Sequence, residues 1–341
     1  MDYAVKNIYG KIKNNKQTVS VPGSKSITAR ALLLAALAEG DSTLYGAQMS
    51  DDCSTFLNCI DSLGVRTEVD GDTVKINGSG GVLPVKRGEV YVGSAGTAAR
   101  FITALLAFSD GTYTVTSSQQ MKSRPIAPLI SALEDAGVKF EFLEKEGCFP
   151  FIVAGTRKLP EEIKVDVSKS SQFLSAVLMA APCTGKTVKI TPRGSHGMNY
   201  VNMTLDMMWS FGVNTSFDGA SYIAEGVYKG KKYDIEPDLS AACYFYAANR
   251  ILGTDISVKG VLPHSMQGDG QFIRLMKDGF DGGEIDMSAF SDQALTMAAI
   301  APYFSKPTHI CGIEHIRGQE CDRIEAIVKN LAAMNVKCVA E

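Results

Sequence analysis

The sequence predicts an α/β protein of two domains, each built from repeated units of strand, buried helix, strand, amphipathic helix and strand. Three observations predict it. Helices of two kinds alternate along the chain, short strand-like segments separate them, and each helix of the second kind closes on a small turn residue followed by an apolar one. Five units are visible. Since closed architectures favour symmetric counts, five suggests three units plus two, with a sixth missing.

The first kind of helix is rich in Ala and Leu on all sides, which is typical of a helix that is buried all round. Five segments have this composition: ARALLLAALA from Ala29, AARFITALLAF from Ala98, SQFLSAVLMAA from Ser171, LSAACYFYAA from Leu239 and DQALTMAAIAPYF from Asp292. We expect these helices to form the cores of the two domains.

The second kind of helix is amphipathic and has a recurring end. The apolar residue that closes each unit stands at Val65, Val138, Val213, Phe280 and Val336. The residue before it is a type that accepts the left-handed conformation at a helix end: Gly64, Gly137, Gly212, Gly279 and Asn335. Strand-like segments such as EVYVG, YTVTSS, TVKITP and DISVKG lie between the helices.

Two polar stretches between repeats are the best candidate linkers, Asn14–Gln17 and Gly230–Asp238, because both are charged and turn-prone. They predict a three-unit domain over residues 18–233. The second domain would combine residues 1–17 with 234–341, and it would be incomplete at its C-terminus.

The composition excludes several classes of protein. The 341 residues are 45% apolar and carry a formal net charge of -3, which suits packed cores and gives no basic excess for nucleic acid or an anionic membrane. The longest apolar runs are far shorter than the roughly 18 residues of a membrane span, and residues 1–16 lack the apolar segment of a signal peptide. We therefore expect a cytoplasmic protein with no nucleic-acid or membrane partner.

The eight cysteines and four histidines are scattered along the chain. Their spacing matches neither a metal site nor a disulfide framework, and it gives no support to a Ser-His-Asp triad. We expect reduced thiols and no metal site.

The starts of the buried helices carry small, hydroxylated and basic residues: GSKSITAR from Gly23, GSAGTAAR from Gly93 and SKSSQ from Ser168. A helix N-terminus offers unpaired N–H groups and the positive end of the dipole, so such starts suit an anion, although plain N-capping is the more frequent reason for Ser at any single start. Cations in a first turn, such as Lys25, Arg30 and Arg100, are electrostatically misplaced unless an anion joins them. With Arg124 and Arg323, whose alternative is surface ion pairing, they predict a basic cleft for a small polyanion.

Two phosphate-binding patterns fail on their context. AAPCTGKT, residues 180–187, follows a helix and precedes a strand, whereas a phosphate loop needs the reverse order. GSAGTAAR lacks the third glycine and the downstream acid of a dinucleotide-binding fingerprint.

Six ordered segments resemble those of the EPSP synthase family of enolpyruvyl transferases: PGSKSITARALLLAALAEG, GSAGTAARFITALLA, MKSRPIAPL, SSQFLSAVLMAAP, HSMQGD and RGQECDR. The sister UDP-N-acetylglucosamine enolpyruvyl transferases have Lys-Asn where this chain has Lys25-Ser26. They also carry a reactive Cys in a loop that reads SSQQMKSRP here. The resemblance implies an inside-out α/β barrel of two domains, each with three βαβαββ units. It also implies a monomer that transfers enolpyruvyl from phosphoenolpyruvate to the 5-hydroxyl of shikimate 3-phosphate, without a cofactor.

The resemblance also implies roles for individual residues. The expected contacts of shikimate 3-phosphate are Lys25, Ser26, Arg30, Ser170, Ser171, Asp292 and Gln319. The expected contacts of phosphoenolpyruvate are Lys25, Gly96, Arg124, Gln172 and Arg323. Asp292 matches the proton acceptor and Glu320 the proton donor, with Lys25 as a third catalytic residue. Two carboxyls in opposite protonation states suit a reaction that deprotonates an alcohol and protonates a methylene carbon.

Some positions depart from the family pattern. Gly197 replaces a Ser, His315 replaces an Asn and Gln319 replaces a Lys. The chain also ends at Glu341, before the family's Asp-His-Arg motif and a late Lys motif that bind phosphoenolpyruvate. The sequence therefore leaves two hypotheses: an active transferase of the shikimate pathway, or a truncated or degenerate relative that binds a phosphorylated ligand without normal turnover.

Overall fold

The computed structural model of the chain describes residues 16–195, 197–319 and 321–341. These residues form two compact units, each with its own dense set of internal contacts. The larger unit is Gly23–Glu236, and the smaller unit combines residues 16–22 with Pro237–Glu341. The domain boundaries inferred from the sequence, at 17/18 and 233/234, stay a prediction about independently folding domains.

Three buried helices form the centre of the larger unit: α1 (Lys25–Leu37), α3 (Gly96–Ala107) and α6 (Gln172–Ala180). Every residue of α1 from Ile27 to Leu37 is buried, as the composition of this segment predicts. The remaining helices are α2 (Asp51–Ser62), α4 (Gln119–Lys122), α5 (Ala127–Asp135) and α7 (Met198–Ser210), with a 3₁₀ turn at Ala181–Thr184.

Three four-stranded sheets contact these helices, and all three have the same arrangement of one parallel and two antiparallel pairs. The first has the order β13-β2-β4-β3, with β2 (Asp41–Tyr45), β3 (Thr67–Asp70), β4 (Thr73–Asn77) and β13 (Lys232–Asp234). The second has the order β5-β6-β8-β7, with β5 (Arg87–Tyr91), β6 (Thr112–Thr116), β7 (Lys139–Phe142) and β8 (Phe151–Ala154). The third has the order β9-β10-β12-β11, with β9 (Glu162–Asp166), β10 (Lys189–Arg193), β11 (Val213–Phe217) and β12 (Tyr222–Gly226).

The smaller unit contains two parallel strand pairs. One joins β1 (Lys16–Val19) to β14 (Asp255–Val258), and the other joins β15 (Gly283–Asp286) to β16 (Thr308–Cys311). The helices are α8 (Leu239–Leu252), α9 (Gly270–Lys277), α10 (Ala294–Ile300) and α11 (Arg323–Ala333). Three 3₁₀ turns, Ser291–Gln293, Ala301–Tyr303 and Glu314–Gly318, complete it. Its core includes Leu239, Cys243, Phe272, Met287, Met297 and Ile316.

The structure contains a helix at all ten predicted positions, with differences at the ends. α1 begins at Lys25, inside the predicted start GSKSITAR, and so extends one polar turn ahead of the apolar segment from Ala29. The predicted left-handed helix ends are confirmed, with φ of +83° at Gly64 and +58° at Asn335. Among the described residues, no helix is long and apolar enough to cross a membrane.

The interpretation of both polar stretches as simple linkers is wrong in part. Lys232–Asp234, inside the stretch Gly230–Asp238, forms β13 and pairs in parallel with β2, with Lys232 opposite Thr43. Lys16 and Gln17 likewise belong to β1 and pair with β14. Both strands have a polar composition, so hydrophobic alternation could not reveal them.

Candidate functional site

In the larger unit, the starts of α3 and α6 are joined by one buried cation. Arg100 is only 5% exposed, and its Nη1 donates a hydrogen bond to Gln172 Oε1 at 2.6 Å. Its Nη2 donates to the carbonyl oxygen of Pro125 at 3.2 Å, and Gln172 Nε2 lies 3.3 Å from Thr97 Oγ1. The amide of Gln172, a predicted contact of phosphoenolpyruvate, is therefore oriented by Arg100.

Gly96 begins α3 directly beneath two guanidinium groups. A Cβ atom at this position would lie 2.8 Å from Arg124 Nη1 and 2.9 Å from Arg100 Nη1. Because Gly96 is the first residue of the helix, its N–H is one of those without an acceptor inside the helix. The missing side chain thus lets a helix start approach two cations closely, which favours a bound anion.

Lys25, the first residue of α1, forms an ion pair with Asp52 of α2. The two side chains are 48% and 34% exposed, so water screens this contact. An anionic ligand can therefore compete with Asp52 for the Lys25 ammonium at small cost.

Arg30 occupies a different environment from the one its sequence position predicts. Its side chain is buried beside the Phe101 ring, and its Nε donates to Thr204 Oγ1 at 2.8 Å. The two Nη atoms donate to the carbonyl oxygens of Ser26 at 2.9 Å and Tyr200 at 3.1 Å. Burial lowers the pKa of Arg30 to about 10, which leaves it charged at neutral pH. Arg30 therefore braces the start of α1 against α7.

Ser170 and Ser171 lie at the start of α6. The backbone N–H of Gln172 donates to Ser170 Oγ at 3.3 Å, and Ser171 is 5% exposed. The departure at Gly197 has a physical reason here, because Gly197 has φ of +65° and its added Cβ would lie 2.7 Å from Ser171 Oγ. A serine at 197 would strain the backbone and displace Ser171.

In the smaller unit, Asp292 lies in the 3₁₀ turn Ser291–Gln293 and accepts a hydrogen bond from Arg323 Nη1 at 3.2 Å. His315 Nε2 lies 2.9 Å from Ser291 Oγ, and burial lowers the pKa of His315 although Asp292 and Glu314 act in the opposite direction. Gln319 is exposed at the end of the Glu314–Gly318 turn. The structure thus brings Asp292, His315 and Arg323 together.

The predicted proton donor, Glu320, lies outside the described residues. The structure therefore leaves its role a prediction from the family motif.

One buried carboxyl of the smaller unit was not predicted as a functional residue. Asp269 is 6% exposed and accepts hydrogen bonds from Ser240 Oγ and, at 3.1 Å, from Gln293 Nε2. Burial, and to a smaller extent the charge of Asp292, raises the pKa of Asp269 to about 6. Its only signal in the sequence is its place at the end of the HSMQGD segment.

No group of three or more His, Cys, Asp or Glu side chains that could hold a metal ion occurs among residues 16–195, 197–319 and 321–341.

Comparisons with family models and with curated proteins indicate the same family. The family model described as EPSP synthase (3-phosphoshikimate 1-carboxyvinyltransferase) matches residues 10–281 and 271–341. Curated proteins named 3-phosphoshikimate 1-carboxyvinyltransferase from Trichormus variabilis and Methanospirillum hungatei are 37% and 32% identical to this chain. Both alignments cover 94% of this chain and 81% of the relative.

Solved structures agree in fold. EPSP synthase from Acinetobacter baumannii superimposes with a TM-score of 0.82 at 20% identity, over 97% of this chain and 81% of that chain. The enolpyruvyl transferase NikO from Streptomyces tendae gives a TM-score of 0.58 at 16% identity, over 87% of this chain and 75% of that one. These similarities show a common mixed α/β fold. With the sequence identities above, they establish that the chain belongs to the EPSP synthase family.

Proposed function

We propose that this chain transfers the enolpyruvyl group of phosphoenolpyruvate to the 5-hydroxyl of shikimate 3-phosphate, giving 5-enolpyruvylshikimate 3-phosphate and phosphate. This is a step of the shikimate pathway to the aromatic amino acids. The relatives named for this activity match 94% of the chain, which supports turnover and does not favour a degenerate binding protein. The geometry that carries the proposal is the start of α3, where two guanidinium groups approach Gly96.

The residues that bind phosphoenolpyruvate are proposed to be Lys25, Gly96, Arg124, Gln172 and Arg323. The oriented amide of Gln172 and the guanidinium of Arg124 near Gly96 support this set, because both present donors at one helix start. Each charge-assisted hydrogen bond to an anion contributes about 1.5 to 3 kcal/mol. Several such bonds are needed to offset the hydration of a polyanion.

The residues that bind shikimate 3-phosphate are proposed to be Lys25, Ser26, Arg30, Ser170, Ser171, Asp292 and Gln319. Ser170 and Ser171, at the start of α6, suit the phosphate because hydroxyls and helix N–H groups converge there. Ser26 and Arg30 suit the carboxylate. In this assignment the buried guanidinium of Arg30 contributes positive charge, and it also donates a hydrogen bond to the carbonyl oxygen of Ser26.

Asp292 is proposed to accept the proton of the 5-hydroxyl while that oxygen attacks C2 of phosphoenolpyruvate. Glu320 is proposed to protonate C3, so that the double bond becomes a methyl group in a tetrahedral intermediate. The intermediate then loses phosphate from C2 and a proton from the methyl group, which restores the double bond. The ion pair between Asp292 and Arg323 supports this role, because it places the carboxylate beside a proposed contact of phosphoenolpyruvate.

Three further expectations accompany this function: an inside-out barrel of βαβαββ units, a monomeric state and a cytoplasmic location. The three sheets of the larger unit, which share one strand order, support the repeat.

The test is release of inorganic phosphate by the full 341-residue chain with phosphoenolpyruvate and shikimate 3-phosphate together. We expect phosphate and the enolpyruvyl product in equal amounts, and no phosphate when either substrate is omitted. UDP-N-acetylglucosamine in place of shikimate 3-phosphate is the matched control for acceptor choice. Binding of shikimate 3-phosphate without phosphate release would instead support the degenerate relative.

A further inference from the structure

Asp269 stands at the N-cap position of α9, yet it does not cap that helix. Aspartate is a preferred N-cap residue because its carboxylate accepts from the first free N–H groups of its own helix. Asp238 and Asp322 do this at the starts of α8 and α11, where they accept from the N–H groups of Ala241 and Glu325. The carboxylate of Asp269 makes no such bond. A residue that departs from the local hydrogen bonding expected at its position often serves a functional site instead.

The carboxylate of Asp269 instead joins the starts of two other helices. Its Oδ2 accepts from Ser240 Oγ in the first turn of α8 and from Gln293 Nε2, 3.1 Å away, in the turn that leads into α10. Gln293 is 2% exposed, and its Oε1 accepts from Thr296 Oγ1 at 3.0 Å. Both ends of the Gln293 amide are therefore bound, and its orientation is fixed.

Gln293 follows Asp292 directly in the Ser291–Gln293 turn. With one side chain of the turn anchored in the core, the backbone cannot rotate without breaking buried hydrogen bonds, which is costly. Ser291 contacts His315 on the other side of Asp292. Asp292 is thus held between two anchored neighbours.

We propose that Asp269 is a positioning residue, which acts through Gln293 to hold the Asp292 carboxylate where it takes the proton of the acceptor hydroxyl. The inference rests on the proposed function, because it takes Asp292 as the base. It assigns Asp269 no contact with substrate. Catalysis is sensitive to such support, since a displacement of about 1 Å can lower a rate about 10²-fold.

The test is a double-mutant cycle in the full chain with Asp269→Ala and Gln293→Leu, measured by phosphate release. We expect each variant to lower kcat about 10²-fold, with KM for both substrates changed less than about threefold, because ground-state binding does not need the precise position of the base. If Asp269 acts through Gln293, the double variant loses no more kcat than either single variant. Asp269→Asn, which keeps an acceptor for Ser240 and Gln293, should recover most of the lost rate.

Asp281→Ala is the matched control, because it removes a carboxylate of the same unit that pairs with Arg250 and Ser305. It should keep kcat. Losses of kcat that multiply in the double variant, or a rise in KM with unchanged kcat, would overturn the positioning role. If Asp269→Ala fails to fold, Gln293→Leu and Asp269→Asn carry the test, and normal kcat in Gln293→Leu overturns it.

Asp292→Asn in the same assay separates the two proposals. If Asp292→Asn keeps near-normal kcat, the proposed base is wrong. If it loses turnover while Asp269→Ala and Gln293→Leu keep theirs, only the positioning role of Asp269 fails.

Discussion

The two units differ in the residues at the starts of their helices. In the larger unit, the first turns of the buried helices α1, α3 and α6 contain no acidic residue, although α2 begins with Asp51 and Asp52. Lys25 begins α1, and Arg100 lies in the second turn of α3. In the smaller unit, an aspartate stands at each of the four helix starts or in the turn that leads into it: Asp238, Asp269, Asp292 and Asp322. A helix N-terminus carries partial positive charge, so aspartates satisfy it and cations do not.

The difference indicates that the two units contribute differently to the proposed reaction. In the smaller unit, the carboxylates of Asp238 and Asp322 accept from the first N–H groups of their own helices, so these two helix starts offer little attraction to an anion. In the larger unit, Lys25 and Arg100 lie near the starts of two buried helices, which favours a bound polyanion there. Binding energy would therefore come mainly from the larger unit and proton transfer from the smaller one.

The largest expected effect is on turnover by Asp292→Asn, which keeps the shape of the side chain and removes its charge. We expect kcat to fall by roughly 10²- to 10⁴-fold, because general base catalysis is lost. Affinity for shikimate 3-phosphate, measured by calorimetry, should change little if the larger unit supplies the binding. A large loss of affinity with a modest loss of kcat would contradict the assignment of binding to the larger unit and of proton transfer to the smaller unit.

Glu320 lies outside the described residues, and we expect Glu320→Gln to lower kcat for the same reason, because it removes an ionisable carboxyl. If both carboxyls act in one mechanism, the double variant should lose less than the product of the single losses.

The next effect is on stability. A raised pKa means that the folded state favours protonated Asp269, so this group's stabilising contribution is complete below about pH 4 and is lost as pH rises through 6. Charges on Asp292 and Asp238 face it and add to the cost of ionisation. Asp269→Asn should therefore gain about 2 to 3 kcal/mol relative to the unsubstituted chain between pH 4 and 8. Unfolding curves at both pH values test this, and a pH-independent difference contradicts the buried charge.

Gly96→Ala tests the anion site of the larger unit. The added methyl group would enter the space between Arg124 and Arg100, which must move apart. We expect KM for phosphoenolpyruvate to rise about 10-fold, which is about 1.4 kcal/mol, and shikimate 3-phosphate affinity to change less. Gly88→Ala is the control, because its Cβ would meet Val85 at an ordinary 3.6 Å. Equal loss of both affinities in Gly96→Ala would contradict the assignment of Gly96 to the phosphoenolpyruvate site.

The smallest effect compares two helix caps. Asp238→Ala removes a side-chain bond to the N–H of Ala241 and should cost about 1 kcal/mol of stability. Ser24, at the equivalent position before α1, makes no side-chain capping bond, so Ser24→Ala should cost less. Thermal unfolding of both variants measures the difference. Equal costs would mean that the two units do not differ in how they satisfy their helix starts.

Much of the fold was predictable because the signals are local. Apolar periodicity located the helices, and Gly64 and Asn335 marked their ends through a backbone conformation that few residues adopt. The polar strand β13 was missed, because its partner β2 is far away in the chain and its own residues show no alternation. The starts of the buried helices were predicted to within a few residues, because small and hydroxylated residues precede each apolar segment.

The sequence predicted which types of residue form the candidate site. It did not predict the environment of each residue. Motifs indicated that cations and hydroxyls gather at helix starts. They did not distinguish Arg124, which is half-buried, from Arg100 and Arg30, which are buried and hold other groups in place. Burial depends on packing between segments that the motifs treat one at a time.

The sequence by itself determined the family, the helices and the chemistry of the cations, because each follows from residues near one another in the chain. Only the tertiary structure decided that Arg30 binds Thr204 and that Asp269 binds Gln293 instead of capping its own helix. The physical reason is that a buried polar group must find its partner in space, and that partner is set by how the helices pack.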